Sequence, residues 1–487
     1  YNPLPSLYLF PRGDNFDEIR LYERYNTNYG YMEQYWPYGD ASLSLQNPYW
    51  IQNRINRTSN KKRYMMNASL KWQATDWLNV VGRVNLDNSD YRNKNEKSAS
   101  TLTTFCGVSG GFEDAMRQER SLYADFLANI DKTFGDFHLT ANFGASIYHS
   151  SMDQLYIAGD LVIPNFFQIN NINFSANYKP DPTGYEDEIQ SIFASAELSW
   201  KNQLYLTVTG RNDWDSKLAF SKQKSFFYPS VGLSALLSEM VKLPEVFSFA
   251  KIRGSYTVVA SSFDRFLTNP GYEYNSQTHN WANPTVYPMD NMKPEKTKSW
   301  EIGLNLKFWG NRFNLDATYY RSNTLNQTFK VDIPSSSGYK QAIVQAGNVQ
   351  NQGIELALGF SDKWAGFGWS SNATFTLNRN KVKRLASGSV NPVTGEAIQM
   401  DEMNVGWLGK ENVAPRVILT EGGSMTDIYV YNQLTKDNNG NIKVDQNGNL
   451  GITSSNTPVK VGNLDADFNL GWTNHFTYKG IDLGVVL

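Results

Sequence analysis

From about residue 64 onward, apolar and polar residues alternate one by one, segment after segment. The gaps between the segments alternate as well, short then long. Met66, Ala68, Leu70 and Trp72 alternate with polar neighbours. Leu78, Val80, Gly82, Val84 and Leu86 alternate with Asn79, Arg83, Asn85 and Asp87. Successive side chains of a strand point to opposite faces, so each segment reads as a strand with one apolar and one polar face. About fourteen such segments, mostly roughly 8–13 residues long, follow one another to Leu487. Short connectors ("QATD", "TFGD", "KN", "WGNR", "SDKWAG", "TYKG") join them in pairs, and "SEMVKLPEVFSF" is a longer one. Between the pairs lie long stretches, about 88–120, 149–189, 213–226, 259–298, 321–352 and 379–464.

In an up-and-down antiparallel sheet, alternate connections emerge at opposite ends. One rim then carries tight turns and the other carries large loops, which is the asymmetry of an outer-membrane barrel. The expected fold is therefore all-β: a transmembrane up-and-down antiparallel β-barrel with short periplasmic turns and long extracellular loops. Residues 1–63 read as an extracellular loop region leading into the barrel, and 64–487 as a partial barrel. Sandwich strands are usually about 5–6 residues long, and propellers repeat every ~40–50 residues. Neither matches this chain. Its 28 Tyr, 27 Phe and 13 Trp suit membrane interfaces, where rings settle at both boundaries. Mean hydropathy is −0.49 and no run of about 18 apolar residues exists, so a helical span is excluded. The net charge of −2 gives no reason to expect a nucleic-acid partner. Fourteen strands exceed a barrel that side chains alone can fill, whereas barrels near 22 strands hold a plugged lumen. The loop-like start "YNPLPSLYLFPRGD" and the strand-like end "IDLGVVL" lead us to expect an internal part of a longer polypeptide.

Few residues suggest chemistry. Cys106 is the one cysteine and reads as a loop or core thiol. His138, His149, His279 and His475 are far apart, with no metal-ligand spacing. Arg211, Asp213 and Asp215 in "TGRNDWDSKL" read as a strand-end charge network, with Trp214 at the interface, rather than as a metal site. "KDNNGNIKVDQNGN" (436–449) lacks the spacing of a Ca²⁺ loop and reads as two turns built on Asn-Gly. The four histidines offer no obvious partner for a nucleophile, so no enzyme, cofactor or metal is expected. Rings are dense in the first sixty residues and in 259–298. Tyr35, Trp36, Trp50, Tyr274 and Trp281 are the candidates for contact with a ligand or a protein partner.

Several stretches then become recognisable in order. These are "GDLVIPNFFQINN" (159–171), "LTVTGRNDWDSKL" (206–218), "FFYPSVGLSALLSE" (226–239), "KIRGSYTVVA" (251–260), "MKPEKTKSWEIGLNLKFWGNRFNLDATYYRSNTLNQ" (292–327), "AGNVQNQGIELALGF" (346–360) and "VGNLDADFNLGWTNHFTYKGIDLGV" (461–485). Together they resemble the barrel of a SusC/RagA-type TonB-dependent transporter; 258–267 and the loops depart from that pattern. The resemblance implies an outer-membrane barrel of a Gram-negative cell, of 22 strands with an N-terminal plug, the plug and terminal strands lying outside this sequence. It implies a SusD-like surface lipoprotein as a lid, energy delivered by TonB, and oligosaccharides or peptides as substrates. A dimer of transporter–lipoprotein pairs is one arrangement it allows. A passive porin-like or adhesin barrel without a plug is the rival reading.

Overall fold

The computed structural model describes residues 2–41, 43–174, 180–269, 271–275, 280–289, 292–333, 335–385, 396, 402–408 and 415–487. Its main feature is a wall of fourteen strands. They are β1 (Ile55–Thr75), β2 (Leu78–Lys97), β3 (Gly111–Phe134), β4 (Phe137–Asp160), β5 (Asp181–Trp200), β6 (Leu204–Asp215) and β7 (Ser225–Leu236). The wall continues through β8 (Phe247–Ser261), β9 (Glu295–Phe308), β10 (Phe313–Asp332), β11 (Gln341–Trp364), β12 (Phe367–Arg384), β13 (Asn469–Tyr478) and β14 (Ile481–Val486). Each pairs antiparallel with the next in chain order, and β1 and β14 are the two edges. The strand Val286–Tyr287 adds a short parallel pairing to β11 at the loop end.

The short rim is built from turn residues with left-handed backbone. Ala365 and Gly366 (φ 43° and 88°) join β11 to β12, and Lys479 and Gly480 (φ 45° and 88°) join β13 to β14. Two consecutive positive φ values give a turn whose twist matches that of the strands it joins.

The register separates two faces. Leu70, Gly82, Phe126, Ala145 and Ile192 lie side by side across β1–β5. The next row up is Ser69, Arg83, Asp125, Ser146 and Ser191. On the apolar face Leu70 is 76% exposed, Leu358 55% and Leu470 67%. A face this wide and apolar is stable against hydrocarbon, not water. At the turn end of β8–β13 the rings touch in sequence. Phe247 meets Phe308 at 5.1 Å, Phe313 meets Phe360 at 4.7 Å, Phe360 meets Trp369 at 4.8 Å, and Trp369 meets Phe476 at 6.2 Å. Such a girdle marks one membrane–water boundary.

The strands outrun the alternation. β3 and β4 have 24 residues each, about twice what a bilayer needs. Above the bilayer both faces meet water, so alternation fades while backbone pairing continues. Much of the 88–120 stretch that reads as loop is therefore strand, and only 98–110 connects β2 to β3. Buried apolar clusters sit at this loop end, for example Phe112, Ile157, Leu161 and Ile172, or Val349, Val382, Leu385, Met403 and Leu419. The β12–β13 connection holds its own sheet of four strands, Glu402–Trp407, Arg416–Thr420, Asp427–Leu434 and Ile452–Asn463.

Candidate functional site

The loop rim gathers the candidate residues. "NPYW" starts a helix, Pro48–Arg54: Asn47 is its N-cap, its Oδ1 accepts the Tyr49 N–H at 2.9 Å, and Pro48 takes the first position, where no N–H is needed. Asn47 is fully buried and uses its other groups too. Its Nδ2 donates to the carbonyls of Ile19 (2.8 Å) and Tyr35 (3.0 Å), and its backbone N–H to Gln34 Oε1 (2.9 Å). One asparagine thus ties three separate segments of the first fifty residues together. Gln34 binds Ser100, and Trp50 donates its indole N–H to Thr101 Oγ1 at 3.0 Å, so this segment is fastened to the β2–β3 connection. Arg54 closes the base with a bidentate pair to Glu23 at 2.5 and 2.9 Å.

The five ring candidates fall into three situations. Tyr35 and Trp36 are half-buried on the N-terminal segment; the Arg24 guanidinium lies 3.5 Å over the Tyr35 ring, and Trp36 donates to the Gly39 carbonyl and packs on Tyr38 at 5.0 Å. Trp50 has no exposed surface and acts as an anchor of the segment, not as part of its face. Tyr274 and Trp281 pair across a small hairpin, ring centroids 5.1 Å apart, with Trp281 68% exposed. His279 lies outside the described residues, as do parts of the 149–189, 259–298, 321–352 and 379–464 loops. Sequence reasoning missed Asn47, although Asn-Pro before an apolar helical turn is a start signal. It also missed Phe10 and Phe16, which join Tyr38 and Tyr49 in one ring cluster.

The polar face of the wall is paired rather than free. Arg83 and Asp125 form a bidentate pair at 2.9 and 2.7 Å, with the Asp125 side chain fully buried. Arg253 reaches Asp316 at 3.2 Å and Thr318 at 2.7 Å. The expected network at Arg211 is present: Arg211 binds Asp213 (2.7 Å) and Ser191 (2.8 Å), and Tyr228 donates to Asp213 (2.7 Å). Asp215 instead caps a short turn through the Lys217 N–H and accepts from Ser262. Among the described residues no three His, Cys, Asp or Glu side chains gather as metal ligands. Cys106 is buried in the β2–β3 connection. Burial pushes its thiol up to about 11 against the pull of Lys97, which is the state of an inert thiol. In the β12–β13 insertion Asp427 is buried, which alone would raise its pKa. Lys460 (2.7 Å), the Ser424 N–H (3.0 Å) and Asn463 (2.7 Å) outweigh that and hold it below the usual carboxylate range. The two Asn-Gly turns of 436–449 are present, with Gly440 and Gly448 at φ 86° and 81°.

A wall with one face for lipid, a paired polar face opposite and long loops at one rim agrees with what known proteins show. The family model described as "TonB dependent receptor-like, beta-barrel" matches residues 7–480. TonB-dependent receptor P3 of Formosa agariphila is 22% identical over 418 residues, covering 79% of this chain and 40% of its own length. TonB-dependent receptor SusC of Bacteroides thetaiotaomicron is 25% identical over 316 residues, covering 61% of this chain and 30% of its own length. The chain thus spans well under half of these curated relatives. The RagAB peptide transporter structure superposes with a TM-score of 0.73 at 16% identity, over 91% of this chain and 49% of that one, which speaks for a shared fold. The family is one of receptors and transporters rather than of enzymes, and its barrels stand in the outer membrane. The chain belongs to the TonB-dependent receptor-like β-barrel family.

Proposed function

We propose that this chain is the barrel wall of an active importer that takes up oligosaccharides or peptides, energised through TonB, with a SusD-like lipoprotein seated over the loop rim. The observation that carries the reading is the division of the wall: an apolar outer face ending in a ring girdle, and an inner face of paired charges that suits a water-filled or plugged lumen. The names of the relatives support TonB dependence, and the likeness to the RagAB peptide transporter supports the peptide class; the lid and the oligosaccharide class rest on the resemblance of the sequence motifs to SusC/RagA-type transporters. The long-loop rim then faces the medium and the turn rim the periplasm. Tyr35, Trp36, Tyr274 and Trp281 touch substrate or lid, and Trp50 contributes by holding its segment in place.

The test uses the full-length protein purified from its native outer membrane, with mass spectrometry of what accompanies it, and uptake measured with and without functional TonB. A co-purifying surface lipoprotein, a bound peptide or glycan, and uptake lost without TonB are expected. Uptake that persists without TonB returns the protein to the passive-porin reading. Joint Ala substitution at Trp36 and Trp281 is expected to lower uptake or lipoprotein recovery; no change in either removes the rings from the site.

A further inference from the structure

On β9–β12 the lipid-facing side of the wall becomes cationic where its apolar part ends. The register sets Ile302, Tyr319, Ile354 and Leu377 side by side in the last apolar row. One row nearer the loop end stand Trp300, Arg321, Gln352 and Arg379, and beyond them Lys298, Asn323, Gln350 and Lys381. Alternation puts these rows on the same face as Leu358. The contacts agree: the Trp300 ring packs on Tyr319 at 5.4 Å, and the Gln350 amide lies against the Arg321 guanidinium. Lys298 is ten residues from Phe308 along β9, and Gln350 ten from Phe360 along β11; both rings belong to the girdle at the turn end. Ten residues at about 3.4 Å each, on strands tilted by about 40°, rise about 26 Å along the barrel axis, against an apolar band about 25 Å tall. The cations therefore stand where hydrocarbon gives way to headgroups, with Trp300 and Tyr319 at the boundary.

These rows carry four cations and no carboxylate. Arg379 donates to the Asp467 carbonyl at 3.2 Å, with the Asp467 carboxylate 3.8 Å away. Lys298 and Lys381 are exposed and have no ion-pair partner among the described residues, nor has Lys296, one row further along β9. On β1–β5 the rows beyond the apolar face instead mix Lys62 and Arg120 with Asp90, Asp153 and Glu186. The surplus of positive charge is thus local to β9–β12, and like charges repel, so the fold does not need it. What meets this patch follows from continuity. β9, β10 and β11 are paired on both sides here, and the free edges of the wall are β1 and β14, so further strands add elsewhere.

We propose that the patch binds a phosphorylated glycolipid of the leaflet at the loop rim. Its phosphates meet Lys296, Lys298 and Arg321 at one end and Lys381 and Arg379 at the other. The amides of Asn323, Gln350 and Gln352, which lie between, take its sugar hydroxyls, and its acyl chains lie on the Ile302–Leu377 row. The two cationic ends are three strands apart, about 14 Å at about 4.8 Å per strand, which is more than one phosphodiester headgroup spans and suits a sugar unit phosphorylated at both ends. The proposal rests on the reading that the loop rim faces the medium.

The test uses full-length protein purified in mild detergent from native outer membranes, with retained glycolipid and phospholipid measured by mass spectrometry. The Lys298→Gln/Arg321→Gln/Lys381→Gln variant is expected to retain about tenfold less phosphorylated glycolipid, with unchanged phospholipid and heat-modifiable migration. Lys298→Arg/Lys381→Arg should keep the wild-type amount, and so should Lys62→Gln/Arg120→Gln on the other side of the wall. Phosphatase-treated glycolipid, added back to lipid-depleted wild type, should bind about tenfold more weakly; this arm decides the matter if the triple variant does not fold. Wild-type retention by the triple variant, equal loss in the Lys62/Arg120 variant, or undiminished binding of the dephosphorylated lipid overturns the proposal. Parallel loss of phospholipid assigns the patch to any anionic headgroup and overturns it too. A membrane-impermeant thiol reagent tests the orientation separately. If Asn438→Cys is labelled only in broken cells, the loop rim does not face the medium and the proposal falls with that reading; labelling on intact cells without the glycolipid loss confines the failure to the patch.

Discussion

At the residue scale, similar side chains have different fates because burial, not type, decides their role. Trp50 and Trp281 look alike in the sequence, both in ring-dense stretches. The first is fully buried against Thr101 and the second is 68% exposed. Trp50→Ala is therefore expected to cost about 3–5 kcal/mol in the anchoring of the N-terminal segment, and Trp281→Ala less than about 0.5 kcal/mol. Protease susceptibility of residues 1–54 reads the first, and thermal unfolding reads both. The aspartates of the two Asn-Gly turns, Asp437 and Asp445, carry a pH signature. The Asn441 side chain and neighbouring N–H groups hold Asp437 below the usual carboxylate range, and Asn449 does the same for Asp445. A depressed folded pKa stabilises above the unfolded value and loses that contribution as pH falls through the folded one. The turns should thus be intact at neutral pH and loosen below about pH 4. Exchange rates of 435–451, referenced to an unstructured peptide of the same sequence, should rise there; flat protection factors down to pH 2 would contradict this. The Asn-Gly turns were legible from sequence. The ring of backbone bonds from Thr435 to Gly451, Gly451 to Lys443 and Lys443 to Thr435 was not, because it needs the chain at Gly451 to return beside both turns.

At the element scale, alternation told which face of each strand meets lipid, and the register agrees. Leu356 stands beside Ala317 and Phe375 on the apolar face, and Glu355 beside Thr318 and Thr376 on the polar one. Leu356→Arg should destabilise the assembled barrel by about 2–4 kcal/mol if it lies near the midplane, and Glu355→Gln should be close to neutral. Heat-modifiable migration of the full-length protein after urea titration measures both. Gly353, two residues before Glu355, has another constraint. A Cβ there would lie 2.2 Å from the Leu377 carbonyl and 2.7 Å from the Tyr320 hydroxyl, which crosses over it. Gly353→Ala must push backbone as well as ring, so it should lower the urea midpoint in the same assay, whereas Gly82→Ala, with open space around it on a strand paired on both sides, should not. Strand ends were the part sequence misjudged. Apolar spacing records where lipid stops, and hydrogen bonding carries β3, β4 and β11 well past that point.

At the scale of the whole molecule, the wall is a sheet with two free edges, β1 and β14. Unpaired N–H and C=O groups cannot be left in hydrocarbon, so the wall closes only with further strands. Expressed by itself, this chain should aggregate or stay outside the membrane. Co-expression with the remaining strands should restore a protease-resistant barrel, and stable insertion of the isolated wall would contradict the open-sheet description. By itself the sequence determined the all-β class, the lipid and lumen faces, the alternation of turn and loop rims, and the number of wall strands. All of these follow from a period of two read against two solvents and from short, local turns. Only the tertiary structure decided which rings are surface and which are anchors, how Asn47 and Gln34 fasten the first fifty residues to the β2–β3 connection, and that backbone bonds among Thr435, Lys443 and Gly451 join the two Asn-Gly turns. Those features rest on contacts between segments far apart in the chain, where no local pattern records the neighbour.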